Sequence, residues 1–92
     1  MTWYAWDEDK RVANLQKHGI DFKDAQAIFE GHTVTIEDKR QGYGEQRFVT
    51  FGLLGGTLAA VVHTDRDDVI RIISIRKAAR NEEKIYFSTL AD

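Results

Sequence analysis

Arg47, Arg71 and Arg76 are the residues of this 92-residue chain best suited to chemistry. A guanidinium is planar and always charged, and it can bind two phosphate oxygens in parallel. Lys77 and Arg80 follow Arg76 closely, and Lys17 adds a cation elsewhere. Groups that could move a proton are His18, Glu45 and Tyr43, with His63 as a further acid or base. Imidazole suits proton transfer near neutrality, and a carboxylate does so when its surroundings raise its affinity for protons. Trp6 and Tyr43 offer rings on which unpaired bases could stack. This set suits RNA cleavage without a metal. The 2′-hydroxyl attacks phosphorus, a base removes its proton, an acid protonates the leaving 5′-oxygen, and cations hold the phosphorane charge.

Each residue also has a plainer use. His18 sits in "KHG", where it could cap a helix end, and Lys17 beside it suits a solvated helix terminus. Trp6 could fix a helix entry by packing. Glu45 could pair with Arg47, and Arg80 with Lys84 could be a wet helix face. The run "VIRIISIR" sets a sharper limit. Strict alternation puts Arg71 with Ile73 and Ile75, and Arg76 with Ser74, Ile72 and Ile70 on the other side. The two arginines share a face only if the strand bulges or ends near Ile75.

Several other chemistries are disfavoured. Without cysteine there is no disulfide framework, thiolate metal site or thiol nucleophile. "GLLGGT" lacks the lysine of a phosphate loop. The three histidines have no i,i+4 partner, and Ser74 has no base in view. No metal and no cofactor are expected. No apolar run approaches the ~20 residues of a membrane span, so no membrane partner and a cytoplasmic location are expected. A net charge of −2 is unlike that of a general nucleic-acid binder. The charge is uneven, however: residues 1–38 are acid-rich, while residues 39–80 hold eight Lys/Arg against four Asp/Glu. A local basic patch can still attract phosphate.

The elements that must position these groups follow from caps and periodicity. The length suits one domain, residues 1–92. "TWYAW" reads as an edge strand. Asp7 caps a helix over "EDKRVANLQKH", ended by Gly19, with a narrow apolar stripe of Val12, Ala13 and Leu15. Asp21 caps a second helix, "FKDAQAIFE", whose Phe22, Ala25, Ile28 and Phe29 face the core. Strands follow at 33–38, 47–54, 57–64 and 69–76. They are separated by a loop at 39–46, a Gly55–Gly56 hairpin and a "DRDD" turn. A last helix carries Ala78, Ala79, Ile85, Tyr86 and Leu90 on its apolar side. The expected fold is α+β in two layers, in the order β-α-α-β-β-β-β-α, with an antiparallel sheet and helices packed on one face. The other face is left for a ligand.

The segments "WDEDKRVANLQKHGIDFKDAQAIF" and "YGEQRFVTFGLLGGTLAAVVHTDRDDVIRIISIRKAARNEEKIY" resemble the BrnT family of toxins over residues 4–86. The blocks that carry the resemblance are the W-D…N-L-x-K-H-G start, the G-E-x-R element and the R-I-I-S-x-R element. The resemblance implies a RelE-like fold and a metal-independent endoribonuclease that acts as the toxin of a type II toxin–antitoxin system. It also implies a BrnA-like ribbon-helix-helix antitoxin as partner, with operator DNA bound only through that complex. The catalytic residues would come from His18, Glu45, Arg47, Arg71 and Arg76. RNA contacts would come from Trp6, Lys17, Tyr43, His63, Lys77 and Arg80. Two positions depart from the family pattern. Ile75 stands where a small residue is usual, and His63 stands where Tyr is common. The alternative is a module of the same fold that binds antitoxin or nucleic acid without catalysis.

Overall fold

Asp7 opens the first helix in the expected way: extended backbone, with its Oδ1 accepting the Lys10 N–H at 3.2 Å. The helix, α1 (Glu8–His18), has acids in its first turn and Lys17 and His18 in its last. It closes at Gly19, whose φ of 73° is left-handed and whose N–H reaches the Leu15 carbonyl. Asp21 caps the next segment, which starts as a 3₁₀ turn (Phe22–Asp24) before becoming α2 (Ala25–Glu30). The other elements are β1 (Trp3–Ala5), β2 (Thr33–Asp38), β3 (Arg47–Leu54), β4 (Thr57–Arg66), β5 (Val69–Lys77) and α3 (Arg80–Ala91). The computed structural model describes residues 1–40, 42 and 44–91. None of the described helices is long and apolar enough to cross a membrane.

The fold class and the order of elements agree with the sequence reading. Two details of the architecture differ. The sheet, in the order β1-β5-β4-β3-β2, is mixed and not wholly antiparallel, because β1 runs parallel to β5 with Ala5 opposite Arg71. The hairpins force β3, β4 and β5 to alternate in direction, but no tight turn joins β1 to β5. The helices also lie on both faces. Residues of β4 sort the two sides: Ala59 and Val61 join Phe22, Ala25, Ile28, Ile72 and Ile75, whereas Leu58, Ala60 and Val62 join Val49, Phe51, Ala78 and Tyr86. The 3₁₀ turn and α2 therefore cover a first face, and α3 covers part of the second. The chain crosses at Ala78, whose N–H continues the ladder to the Leu58 carbonyl at 2.9 Å. Of the apolar side expected for α3, Ala78 and Tyr86 are buried, while Ile85 and Leu90 are exposed.

One register shift between β4 and β5 sets which way the arginines of β5 face. Val62 pairs with Ser74, but His63 pairs with Ile72, so Ile73 is an extra residue in β5. This bulge reverses the phase of the strand. Ile72 and Ile75 both enter the first-face core, and Ile73 packs with the second-face cluster. Arg71, before the bulge, and Arg76, after it, consequently share the second face.

The outer edge of β5 is paired with β1 only as far as Arg71. Beyond it, α1 takes over through Asn14, the one buried residue of that helix. Asn14 Oδ1 accepts the Ile75 N–H at 3.1 Å, and its Nδ2 donates to the Ile75 carbonyl at 2.9 Å and the Ile20 carbonyl at 3.1 Å. A side-chain amide thus satisfies a strand edge that would otherwise bury bare backbone groups.

Candidate functional site

The second face of the sheet, where α3 leaves it open, is the candidate site. Its residues fall into cross-strand rows. Asp38 is opposite Arg47 and Thr64 is opposite Arg71. The register that pairs Phe48 with His63 places Arg47 and Thr64 side by side. The next row is Ile36, Val49, Val62 and Ser74, and the row beyond it is Val34, Phe51, Ala60 and Arg76. Arg47 and Arg71 are two strands apart, roughly 10 Å at the backbone.

Two hollows lie on this face. One, of about 370 Å³, has Ile36, Val49 and Val62 in its lining, with Asp38, Arg40, Ser74, Arg76 and Glu82 around them. The other, of about 550 Å³, is lined by Glu45, Gln46, Thr64, Asp65, Arg66 and Arg71 among others. Both volumes fall in the range of small-molecule sites, about 300–1,000 Å³.

The charges in the first hollow are tied down. Arg76 Nη1 donates to Glu82 Oε1 at 2.7 Å, and Nη2 donates to Glu82 Oε2 at 2.9 Å. Glu82 Oε1 also accepts the Ala79 N–H at 2.7 Å, which caps α3. Donating to Glu82 raises the pKa of Arg76, and accepting from Arg76 holds the Glu82 carboxyl below its usual 4.5. Arg40 reaches back to Asp38 through Nε at 3.0 Å and Nη2 at 2.8 Å, and its charge acts on Arg76 across the hollow. Arg47 lies 3.7 Å from Glu45 as an ion pair.

The residues named from sequence divide between the two sides. Arg47, Arg71 and Arg76 share the second face, but Arg71 lines the larger hollow with Glu45, Arg76 lines the smaller one, and Arg47 is in neither lining. His18 and Lys17 are exposed at the end of α1, and they line neither hollow of the second face. Lys77 and Arg80 are exposed at the end of β5 and the start of α3, also outside both linings. Trp6 packs edge-on against Phe22 and donates to Glu8 Oε2 at 3.1 Å, on the first-face side. Tyr43 lies outside the described residues.

His63 is buried on the first face, away from the arginines, at 2% exposure. Its ring stacks on Phe48 and meets Phe29 edge-on. Nδ1 is 2.6 Å from Asp65 Oδ1 and Nε2 is 2.7 Å from Thr50 Oγ1, which is in turn 2.7 Å from Thr35 Oγ1. The Asp65 carboxylate can only accept, so a neutral ring donates from Nδ1 and accepts the Thr50 hydroxyl's hydrogen bond at Nε2. Sequence reasoning missed Asp38, Arg40 and Glu82. The one available signal was the spacing Ala79-x-x-Glu82, a helix-start pattern that places Glu82 one turn above Arg76.

Fold and cleft together define a small α+β domain with an arginine-rimmed, partly apolar sheet face. The family model of the BrnT ribonuclease toxin of type II toxin–antitoxin systems matches residues 6–82. The chain belongs to that family. Curated proteins give no match to it.

Proposed function

We propose that the chain is a metal-independent endoribonuclease toxin that binds a phosphodiester on the second face of its sheet. The observation that carries this reading is the bulge at Ile73, which turns Arg71 and Arg76 to the same open face as Arg47. In the scheme, Arg76, Arg47 and Arg71 hold the phosphate charge. Glu45, in the hollow shared with Arg71, takes the proton of the 2′-hydroxyl as its oxygen attacks phosphorus. The P–O5′ bond breaks, the 5′-oxygen takes a proton from water, and the products are a 2′,3′-cyclic phosphate and a 5′-hydroxyl. His18 does not enter this scheme.

Cleavage of cellular RNA in the cytoplasm would arrest growth. The proposed antagonist is a BrnA-like ribbon-helix-helix antitoxin, with operator DNA bound through the complex. Residues 1–92 would act as one toxin domain.

The test is incubation of purified protein with single-stranded RNA in EDTA, with the termini of the products analysed. Cyclic phosphate ends, and a loss of about 100-fold in Arg76→Ala, are expected. RNA that is retained but never cut would favour the non-catalytic binding module. Cleavage unchanged in Arg47→Ala, Arg71→Ala and Arg76→Ala would overturn the placement of the site.

A further inference from the structure

We infer that Glu82 is a positioning residue for Arg76: it fixes the guanidinium so that one edge stays open to a phosphate. The inference rests on the proposed role of Arg76 and goes beyond it. A guanidinium has five N–H groups. Glu82 takes one from Nη1 and one from Nη2, at 2.7 and 2.9 Å. The Lys77 carbonyl lies 3.5 Å from Nη1, a longer contact on that nitrogen's outer side. The Nε–H and the second Nη2–H remain. These two point the same way and match two oxygens of a phosphate. Arg76 thus presents a second fork while its first is held.

A carboxylate beside a phosphate ligand looks unfavourable, because it offsets the charge that should attract RNA. Orientation is the compensation. A free Arg side chain samples many rotamers, and fixing one of them costs entropy. Glu82 removes much of that freedom before RNA arrives. Its own carboxylate is steadied by the Ala79 N–H at 2.7 Å and by its place in the first turn of α3. The segment from β5 to α3 therefore forms a closed unit of Arg76, Ala79 and Glu82. Its geometry is set within seven residues of chain.

The same carboxylate has a plain structural use as the cap of α3, and the test must separate the two. Glu82→Gln does so. Gln at this position keeps an oxygen for the Ala79 N–H. It also turns one Arg76 contact into an NH₂ facing an N–H, so the guanidinium is released. With a defined single-stranded RNA oligonucleotide, Glu82→Gln should lower kcat about tenfold and change KM less than about threefold. In an Arg76→Lys background the same substitution should change kcat less than about twofold, because the fork it orients is gone. Thermal melting should confirm that each variant is folded.

If Glu82→Gln leaves kcat unchanged, or lowers it equally in both backgrounds, Glu82 only caps the helix and the inference fails. If Arg76→Ala and Arg76→Lys themselves cleave at the wild-type rate, it is the role of Arg76 that fails. The two failures are therefore distinguishable.

Discussion

Replacing Asn14 by Ala should loosen the strand that carries the arginines. Its amide makes three contacts: the Ile75 N–H at 3.1 Å, the Ile75 carbonyl at 2.9 Å and the Ile20 carbonyl at 3.1 Å. In Asn14→Ala the Ile75 backbone keeps its place in the core but loses both partners. A buried N–H or carbonyl left unsatisfied costs about 1–3 kcal/mol. The Ile20 carbonyl lies nearer the surface, where water can replace the lost bond. The expected loss is therefore about 2–4 kcal/mol, set by the two Ile75 groups. For a domain with about 5–15 kcal/mol in total, this is a large fraction.

Urea unfolding is the assay. With a slope near 1 kcal/mol/M for a chain of this size, the midpoint should fall by about 2–4 M. Leu15→Ala, next along α1 and half-exposed, is the control and should cost less than about 1 kcal/mol. Asn14→Asp discriminates further. It keeps an acceptor for the Ile75 N–H but has no donor for the two carbonyls, and it brings a charge into a buried place, so it should be at least as damaging as Ala. A midpoint shift below about 0.5 M for Asn14→Ala would refute the view that α1 completes the sheet edge.

Gly52→Ala should destabilise by about 1–3 kcal/mol, because the new Cβ would lie 2.8 Å from Ile28 Cγ2; chemical unfolding reads this directly. Acid should weaken the fold through Glu82, whose carboxyl is held below 4.5 by Arg76. Its contribution is full above about pH 4.5 and is lost as pH falls through the lowered value. In Glu82→Gln, stability should therefore fall less steeply with acid than in the wild type, though Asp21 and Glu8, also lowered, keep part of the slope. His63→Ala should lower the melting temperature, since it opens a cavity and removes a partner from Thr50 and from Asp65, while kcat per folded molecule stays within about threefold. His18→Ala should also retain cleavage within about threefold, because that side chain is exposed outside both hollows.

Elements were legible in the sequence because their signals are local. Asp7, Gly19 and Asp21 bracket helices through contacts with residues at most four positions away. Gly55, at φ 61°, marks its hairpin just as directly. What was not legible depends on partners far along the chain. Asn14 sits in a helix pattern as an ordinary polar residue; only Ile75, 61 positions on, gives it a purpose. The parallel pairing of β1 with β5 likewise has no turn to announce it. His63 looked available as an acid or base because it stands where Tyr is common in the family. Its actual partners, Thr50 and Asp65, came from the neighbouring strand and from the strand end.

The arginines show how narrow the gap was. Alternation along "VIRIISIR" separates Arg71 from Arg76, and one inserted residue reunites them. Nothing in the isoleucines marks which is the extra one. The choice is made by packing: Ile72 and Ile75 are both needed against Phe22, Ala25 and Ile28, and the two residues between them are one too many for a regular strand on one face. The core on the first face thus dictates the geometry of the second. Deleting Ile73 tests this. The shortened strand Arg71-Ile72-Ser74-Ile75-Arg76 alternates regularly, so both isoleucines still face the first-face core and both arginines the open face. The variant should therefore stay folded, lose at most the packing of the partly buried Ile73 side chain, about 1.5–3 kcal/mol, and keep cleavage within about threefold. Loss of cleavage in a folded deletion variant would show that sharing a face is not enough and that the bulge itself shapes the site.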